Sequence, residues 1–322
     1  MTESPTLAAA LTPVDAVIFD LDGVVTDTAE LRAAAWTQLL DQVLQDPRLS
    51  AGTRRDPFSA DDYLELVAGR TWEDAVATFL RARGGAIPDG VPTDGSGVWR
   101  AFGLAARQNE LFDNLLSTNP VRASPGTVDL IGRLKAGRIP VVLATSARNA
   151  GALLAAAGLA DVFDHIIDGQ TALERDVAGK PAPALPLEAV RRLEIRPARA
   201  MVIEESVTGV EAGRRGGFGL VIGIDRDGRR DPLEAAGADL VVEDVSQLDI
   251  GLVIKHPWLL FYEGFDPAHE GHREVLTTLG NGCLAHPRRR PGAPRRGGAL
   301  SRQLSRRGLQ QPAQCGPGPG IR

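Results

Sequence analysis

Asp20 and Asp22 stand two residues apart in VIFDLDGVVTDTAE, the run from Val17 to Glu30, directly after an apolar stretch. Asp27 follows within a turn's reach, and carboxylates so crowded repel one another unless a cation lies between them. Mg²⁺ suits that position, because it takes one or two carboxylates and completes its shell with waters and phosphate oxygens. With the cation in place, Asp20 can attack a phosphoryl group and form an aspartyl phosphate. Asp22 faces the same cavity once the chain has left the strand, so it can hand a proton to the leaving oxygen and later take one from the acceptor. The Thr145 hydroxyl would donate a hydrogen bond to the transferring phosphoryl group. The Lys180 ammonium would spread over its negative charge, the electrostatic contribution that dominates phosphoryl transfer.

Four parts of the chain must converge for that chemistry, and the periodicity says how. Val14 to Asp20 reads as a buried strand, Leu31 to Leu44 has helical spacing, and GGAIPDGVPTDGSG (Gly84 to Gly97) is a turn-rich loop. After Ser124–Gly126, helices at Thr127–Ala136, Arg148–Ala157, Leu185–Leu193 and Val207–Arg215 alternate with strands. The strands are Ile139–Ala144, His165–Asp168, Ala200–Glu204, Leu220–Ile224 and Asp239–Val242. This alternation predicts an α/β fold, a Rossmann-like doubly wound parallel sheet with an inserted helical cap domain. The expected core is 14–28 with 118–249, and the cap is 29–117. Ligands sit beyond the carboxyl ends of the strands in such sheets. Asp20 with Asp22, Thr145 with Ser146, and Glu204 with Glu205 all fall at that edge, and Lys180 lies in the loop before a helix.

FDLDGVVTDTAE, LATSARN, GKPAP and IEESVTGVEAG have the order and spacing of the four motifs of the haloacid dehalogenase superfamily, and over about residues 14–249 the chain resembles that family, its β-phosphoglucomutase branch most. The resemblance implies Asp20 as nucleophile, Asp22 as general acid/base, and Mg²⁺ held by Asp20, the main-chain carbonyl of Asp22, Glu204 and Glu205. It also places Thr28 at the hinge of the cap. Arg32 stands where these mutases usually have a histidine, Trp72 where a cap arginine grips the distal phosphate, and Gln108 where a lysine is usual. Ser146 and Ala147 look exchanged, Glu205 replaces an aspartate, and Ala184 replaces the aspartate closing the third motif. Substitute substrate contacts would come from Thr28, Gly69, Arg70, Ser146, Arg148 and Asn149.

Each residue has a plainer alternative. Asp22–Gly23 could be a turn after a strand, Thr145 or Ser146 a helix N-cap, Lys180 a surface lysine, and Glu204–Glu205 acids favoured by a helix dipole. All four would have to hold together to remove the site. Asp27 reads as the N-cap of the helix leading into the cap, and Trp36 and Trp72 as cap core. GRRGGFG (Gly213–Gly219) reads as a helix stop, and His269 and His272 as solvated side chains.

The 322 residues carry a net charge of −5, which argues against nucleic acid as a partner, and Cys283 and Cys315 imply no disulfide framework. The N-terminus lacks a basic segment and a sufficient apolar run for a signal peptide, and no run reaches the roughly 18 apolar residues of a membrane span. The expectation is a soluble, cytoplasmic monomer acting on a phosphosugar. Pro257 to Gly282 resembles the opening of the family 65 glycoside hydrolases and phosphorylases, a truncated domain at 250–284. Beyond Leu284 every charged side chain is an arginine, as in a disordered basic tail (285–322) or a chain that left its reading frame near Cys283. A phosphorylase of that family releases β-glucose 1-phosphate, so the resemblance favours a mutase making glucose 6-phosphate. A sugar-phosphate phosphatase is the alternative, and an eroded phosphosugar-binding domain the third.

Overall fold

The computed structural model describes residues 14–248, apart from 176, 227 and 229, all within one compact unit. The segment 257–282 with His269 and His272, and the arginine-rich tail, lie outside the described residues. In chain order the elements are β1 (Ala16–Phe19), α1 (Ala29–Leu44), α2 (Ala60–Asp62), a single π-turn (Tyr63–Val67), α3 (Trp72–Ala82) and α4 (Ala101–Leu116). Then come α5 (Pro125–Ala136), β2 (Val141–Ala144), α6 (Ala150–Ala156), β3 (His165–Ile167), α7 (Gly169–Glu174) and α8 (Ala184–Arg192). The described residues continue with β4 (Ala200–Glu204), α9 (Val207–Arg215), β5 (Leu220–Ile224), α10 (Arg230–Ala235) and β6 (Leu240–Val242).

The six strands are all parallel, in the order β3-β2-β1-β4-β5-β6. That order reverses between β1 and β4, the switch point where doubly wound sheets open a crevice beyond their strand ends. Alternation along β1 explains the two layers of helix. Val17 and Phe19 pack into one apolar cluster with α5 and α6, whereas Ala16 and Ile18 pack into another with α8 and α9. Register then aligns the edge: Phe19 pairs with Leu143 and with Ile203, so Asp20 and Glu204 emerge side by side.

Helices α1 to α4 form the cap around a third cluster, which holds Trp36, Leu39, Leu40, Trp72, Val76 and Phe79. Trp36 and Trp72 are thus cap core, as expected. Cap and core are joined by two linkers that pair with one another: Asp27 N donates to Arg122 O (3.0 Å), Ser124 N donates to Val25 O (2.9 Å), and Thr26 bridges Ala123 antiparallel.

Several boundaries differ from expectation. Asp27 is not the N-cap of α1; its Oδ1 accepts from Arg122 N at 2.8 Å and stitches the linkers, while Thr28 occupies the cap position. Helix α6 begins at Ala150, not Arg148, because residues 145–149 form the loop beneath the cap. Neither Thr145 nor Ser146 caps it; Asn149 holds that position. The glycines after α9 do stop it: the helix ends at Arg215 and Gly217 has φ +69°.

Candidate active site

Asp20 follows β1 directly, with its N–H donating to Ile203 O at 3.0 Å, and its side chain is buried at the carboxyl edge. Lys180, brought over by the loop before α8, places Nζ 2.9 Å from Asp20 Oδ1 and 2.5 Å from Glu204 Oε1. Its side chain is only 1% exposed. Burial alone would pull the Lys180 ammonium down, but Asp20 and Glu204 outweigh it and hold the pKa above the usual lysine value. Burial, then the charge of Asp20, pushes Glu204 up to about 8, and Lys180 and Ser206 pull it back only in part. Ser206 serves twice, donating to Glu204 Oε2 (3.3 Å) and accepting from Gly209 N (3.0 Å) as the N-cap of α9. The missing side chain at Gly209 leaves room for Glu204, since a Cβ there would lie 2.0 Å from its Oε2.

The carboxylate of Asp22 points elsewhere. Its Oδ1 accepts from Thr28 Oγ1 at 2.5 Å, Thr28 lies 2.7 Å from the Thr26 hydroxyl, and Oδ2 is 3.2 Å from Arg32 Nε. Arg32 is buried, with its guanidinium carbon 3.5 Å above the Phe112 ring centroid and 5.6 Å from that of Trp72. Glu205 lies over Gly23, whose φ of +73° and missing Cβ leave room for that carboxylate, and Arg226 Nε braces the same turn through Gly23 O at 2.7 Å.

The remaining candidates divide between loop and cap. Thr145 Oγ1 accepts from Ala147 N at 3.2 Å, and Ser146 Oγ donates to Gly69 O at 2.8 Å. Arg148 Nη2 meets Glu73 Oε2 at 2.5 Å. Arg70 Nε and Asn149 Oδ1 are buried without a hydrogen-bond partner. Asp20, Lys180 and Glu204 therefore come together, whereas the side chains of Asp22 and Arg148 are turned to other partners and that of Glu205 lies over Gly23.

The pairing of Arg32 with Asp22, and of Glu73 with Arg148, was not read from the sequence. One signal was available: Thr28 and Arg32 are four apart, hence on one face at the start of α1, with the motif's second aspartate close by.

Among the described residues no three His, Cys, Asp or Glu side chains gather closely enough to hold a metal unaided. The donor chemistry nonetheless suits a hard divalent cation. The Asp20 and Glu204 carboxyls meet at one point of the edge, and hard oxygen donors of this kind are completed in such sites by water and phosphate.

A parallel sheet whose first strand ends in a buried, lysine-paired aspartate, roofed by an inserted helical cap, defines a capped phosphoryl-transfer enzyme. The chain belongs to the haloacid dehalogenase-like hydrolases, whose family profile matches residues 14–217. Beta-phosphoglucomutase of Mycobacterium bovis is 38% identical over 239 residues, covering 73% of this chain and 91% of that protein. An uncharacterized glycosyl hydrolase of Mycobacterium tuberculosis is 39% identical over 237 residues, which is 74% of this chain but 18% of the larger protein. Among solved structures, a beta-phosphoglucomutase from Clostridium difficile shares the fold with a TM-score of 0.58 at 24% identity, covering 74% of this chain and 95% of that one. The enzyme is thus of the β-phosphoglucomutase-like kind, a phosphotransferase or phosphatase.

Proposed function

We propose that the protein is a Mg²⁺-dependent β-phosphoglucomutase that converts β-glucose 1-phosphate to glucose 6-phosphate through an aspartyl phosphate at Asp20. The observation that carries this reading is the Asp20 carboxylate, buried and 2.9 Å from the Lys180 ammonium beneath a cap that meets the core. The likeness to beta-phosphoglucomutase over 91% of that protein supports the sugar phosphate. The larger glycosyl hydrolase relative, of which this chain matches 18%, supports a carbohydrate setting, in keeping with the family 65 resemblance of residues 257–282.

Asp20, Glu204, the main-chain carbonyl of Asp22 and Glu205 would hold Mg²⁺, which when bound screens the charge between nucleophile and phosphate. Asp20 then supplies the attacking oxygen while Lys180 stabilises charge on the phosphoryl oxygens. The Thr145 hydroxyl donates to the same group. Asp22 rotates off Thr28 and Arg32 to give its proton to the leaving oxygen and accept one from the sugar hydroxyl. The cap keeps water from the phosphoenzyme while the bisphosphate turns over. Thr28, Gly69, Arg70, Ser146 and Asn149 line the route between cap and edge and contact the sugar phosphate.

One observation favours a second reading, a sugar-phosphate phosphatase. Arg32 of the cap and Arg148 of the core loop are already paired with Asp22 and Glu73, which leaves less to grip a second phosphate. The deciding experiment incubates the protein with β-glucose 1-phosphate, a trace of glucose 1,6-bisphosphate and Mg²⁺, and follows glucose 6-phosphate and inorganic phosphate together. Glucose 6-phosphate supports the mutase and phosphate alone the phosphatase. Asp20→Asn abolishes either product, and turnover surviving that change overturns the nucleophile.

A further inference from the structure

Opposite the paired linkers, a second set of contacts ties the cap to the core. Ser146 Oγ donates to Gly69 O and Thr208 Oγ1 to Ala68 O, both at 2.8 Å, and Gly179 packs so tightly on Thr71 that a Cβ would fall 2.2 Å from its methyl. These contacts are neutral and short. The fourth is different in kind. Arg148, three residues past Thr145 on the core loop, reaches into the cap, where Glu73 holds its Nη2 at 2.5 Å. Its guanidinium carbon lies 5.4 Å from the Trp72 ring centroid and 5.6 Å from that of Phe102. Both charged side chains are largely withdrawn from solvent, at 18% and 17% exposed, so water screens the pair less than it would on an open surface. A planar cation held by a carboxylate and two aromatic rings is a socket shaped for arginine.

Glu73 engages Arg148 through Nη2, so the guanidinium is anchored to the cap before any substrate is bound. The Trp72 ring stands 5.6 Å from Arg32 as well, and Arg32 holds Asp22. One ring is thus shared between the clasp and the group that places the acid/base.

We propose that Arg148 is a positioning residue that clasps the cap shut through Glu73, Trp72 and Phe102, and so decides whether the Asp20 phosphoryl group passes to a sugar hydroxyl or to water. The proposal rests on phosphoryl transfer through Asp20. In either outcome the bond from phosphorus to Asp20 breaks, a bond to the acceptor oxygen forms, and the acceptor's proton passes to Asp22. A sugar hydroxyl gives a sugar phosphate and water gives inorganic phosphate; both regenerate the Asp20 carboxylate. A closed clasp keeps the second acceptor out.

The test compares the full chain with Glu73→Gln and Arg148→Lys. It reads the ratio of inorganic phosphate to glucose 6-phosphate from β-glucose 1-phosphate. It also reads backbone hydrogen exchange at residues 68–75 without substrate. Glu73→Gln is expected to raise the ratio and speed the exchange by roughly fivefold each, about what a well-formed, partly buried ion pair supplies. Arg148→Lys keeps the charge without the planar stacking and falls between Glu73→Gln and the parent. Parental ratio and exchange in both variants overturn the proposal. Faster exchange with an unchanged ratio overturns the choice of acceptor, and tighter binding of glucose 1,6-bisphosphate by Glu73→Gln at parental exchange makes Arg148 an anion site instead. If the parent forms neither product, the functional reading fails and takes the acceptor choice with it, whereas the exchange still shows whether the clasp exists.

Discussion

Lys180 is one of three lysines in a chain that otherwise uses arginine, and it is buried between two carboxylates. A compact ammonium with three donors can sit between Asp20 and Glu204, where a flat guanidinium would need more room. Removing it leaves the buried Asp20 carboxylate without its counter-charge, so Lys180→Met should lower the unfolding free energy by about 3–5 kcal/mol, read from urea denaturation. A second prediction concerns pH. Hydrogen bonding from Arg191, with Arg192 and Arg175 alongside, pulls the Glu188 carboxyl down to about 2 from its ordinary value of 4.5. A depressed acid stabilises the fold above its unfolded pKa and loses that contribution as pH falls through the folded one. The stability difference between the parent and Glu188→Gln is therefore full above about pH 4.5 and gone by about pH 2, and solvent screening limits it to roughly 1 kcal/mol or less. Thermal melts across that range would show it, and a difference that grows toward acid would refute the assignment. Asp20, Glu204 and Lys180 were legible as a group because they lie at strand ends and in the loop before a helix, where topology alone fixes the neighbourhood. The partners of Asp22 and Arg148 were not, because Arg32 and Glu73 arrive from the cap and no local pattern states where a cap comes to rest.

Elements were legible in proportion to the apolar period they carry. Strand β4, helix α9 and strand β5 match the expected spans residue for residue, since each presents a continuous buried run or a full amphipathic face. Helices α7 and α10 were missed. Each is six residues long, too short to hold itself, and α7 depends on Asp168 accepting from Thr171 N at 2.9 Å, although Asp168 reads in sequence as a strand end. The join of β4 to α9 carries the next prediction. Gly209→Ala drives a methyl into Glu204 and shifts it from Lys180, costing about 1–3 kcal/mol of stability. Displacing a group at the phosphoryl site by an ångström slows turnover by about 100-fold. Calorimetry and steady-state rates on one preparation would check both, and unchanged rates would show that Glu204 tolerates displacement.

At the scale of the molecule, the division into sheet and helical cap was plain from the change of period near Ala29 and again after Ser124. What the sequence did not show is how firmly cap helices enter the core. Phe112, on α4, belongs to the apolar cluster of the sheet rather than to that of the cap, and its face supports the Arg32 guanidinium. Phe112→Ala should therefore cost about 3–5 kcal/mol in chemical denaturation, and it should also loosen Arg32 and with it Asp22. A loss confined to stability, with kcat unchanged, would separate the two roles.

The ribbon formed by Thr26 with Ala123 and by Asp27 with Arg122 means that the chain departs and returns through one narrow doorway. Everything between is one excursion of the chain, seated on the sheet by Ala35 and Phe112. Joining those two threads by a tight bend would keep the order of the strands but strip those side chains from beneath the sheet, so roof and floor can be exchanged separately only where the floor is repacked to match.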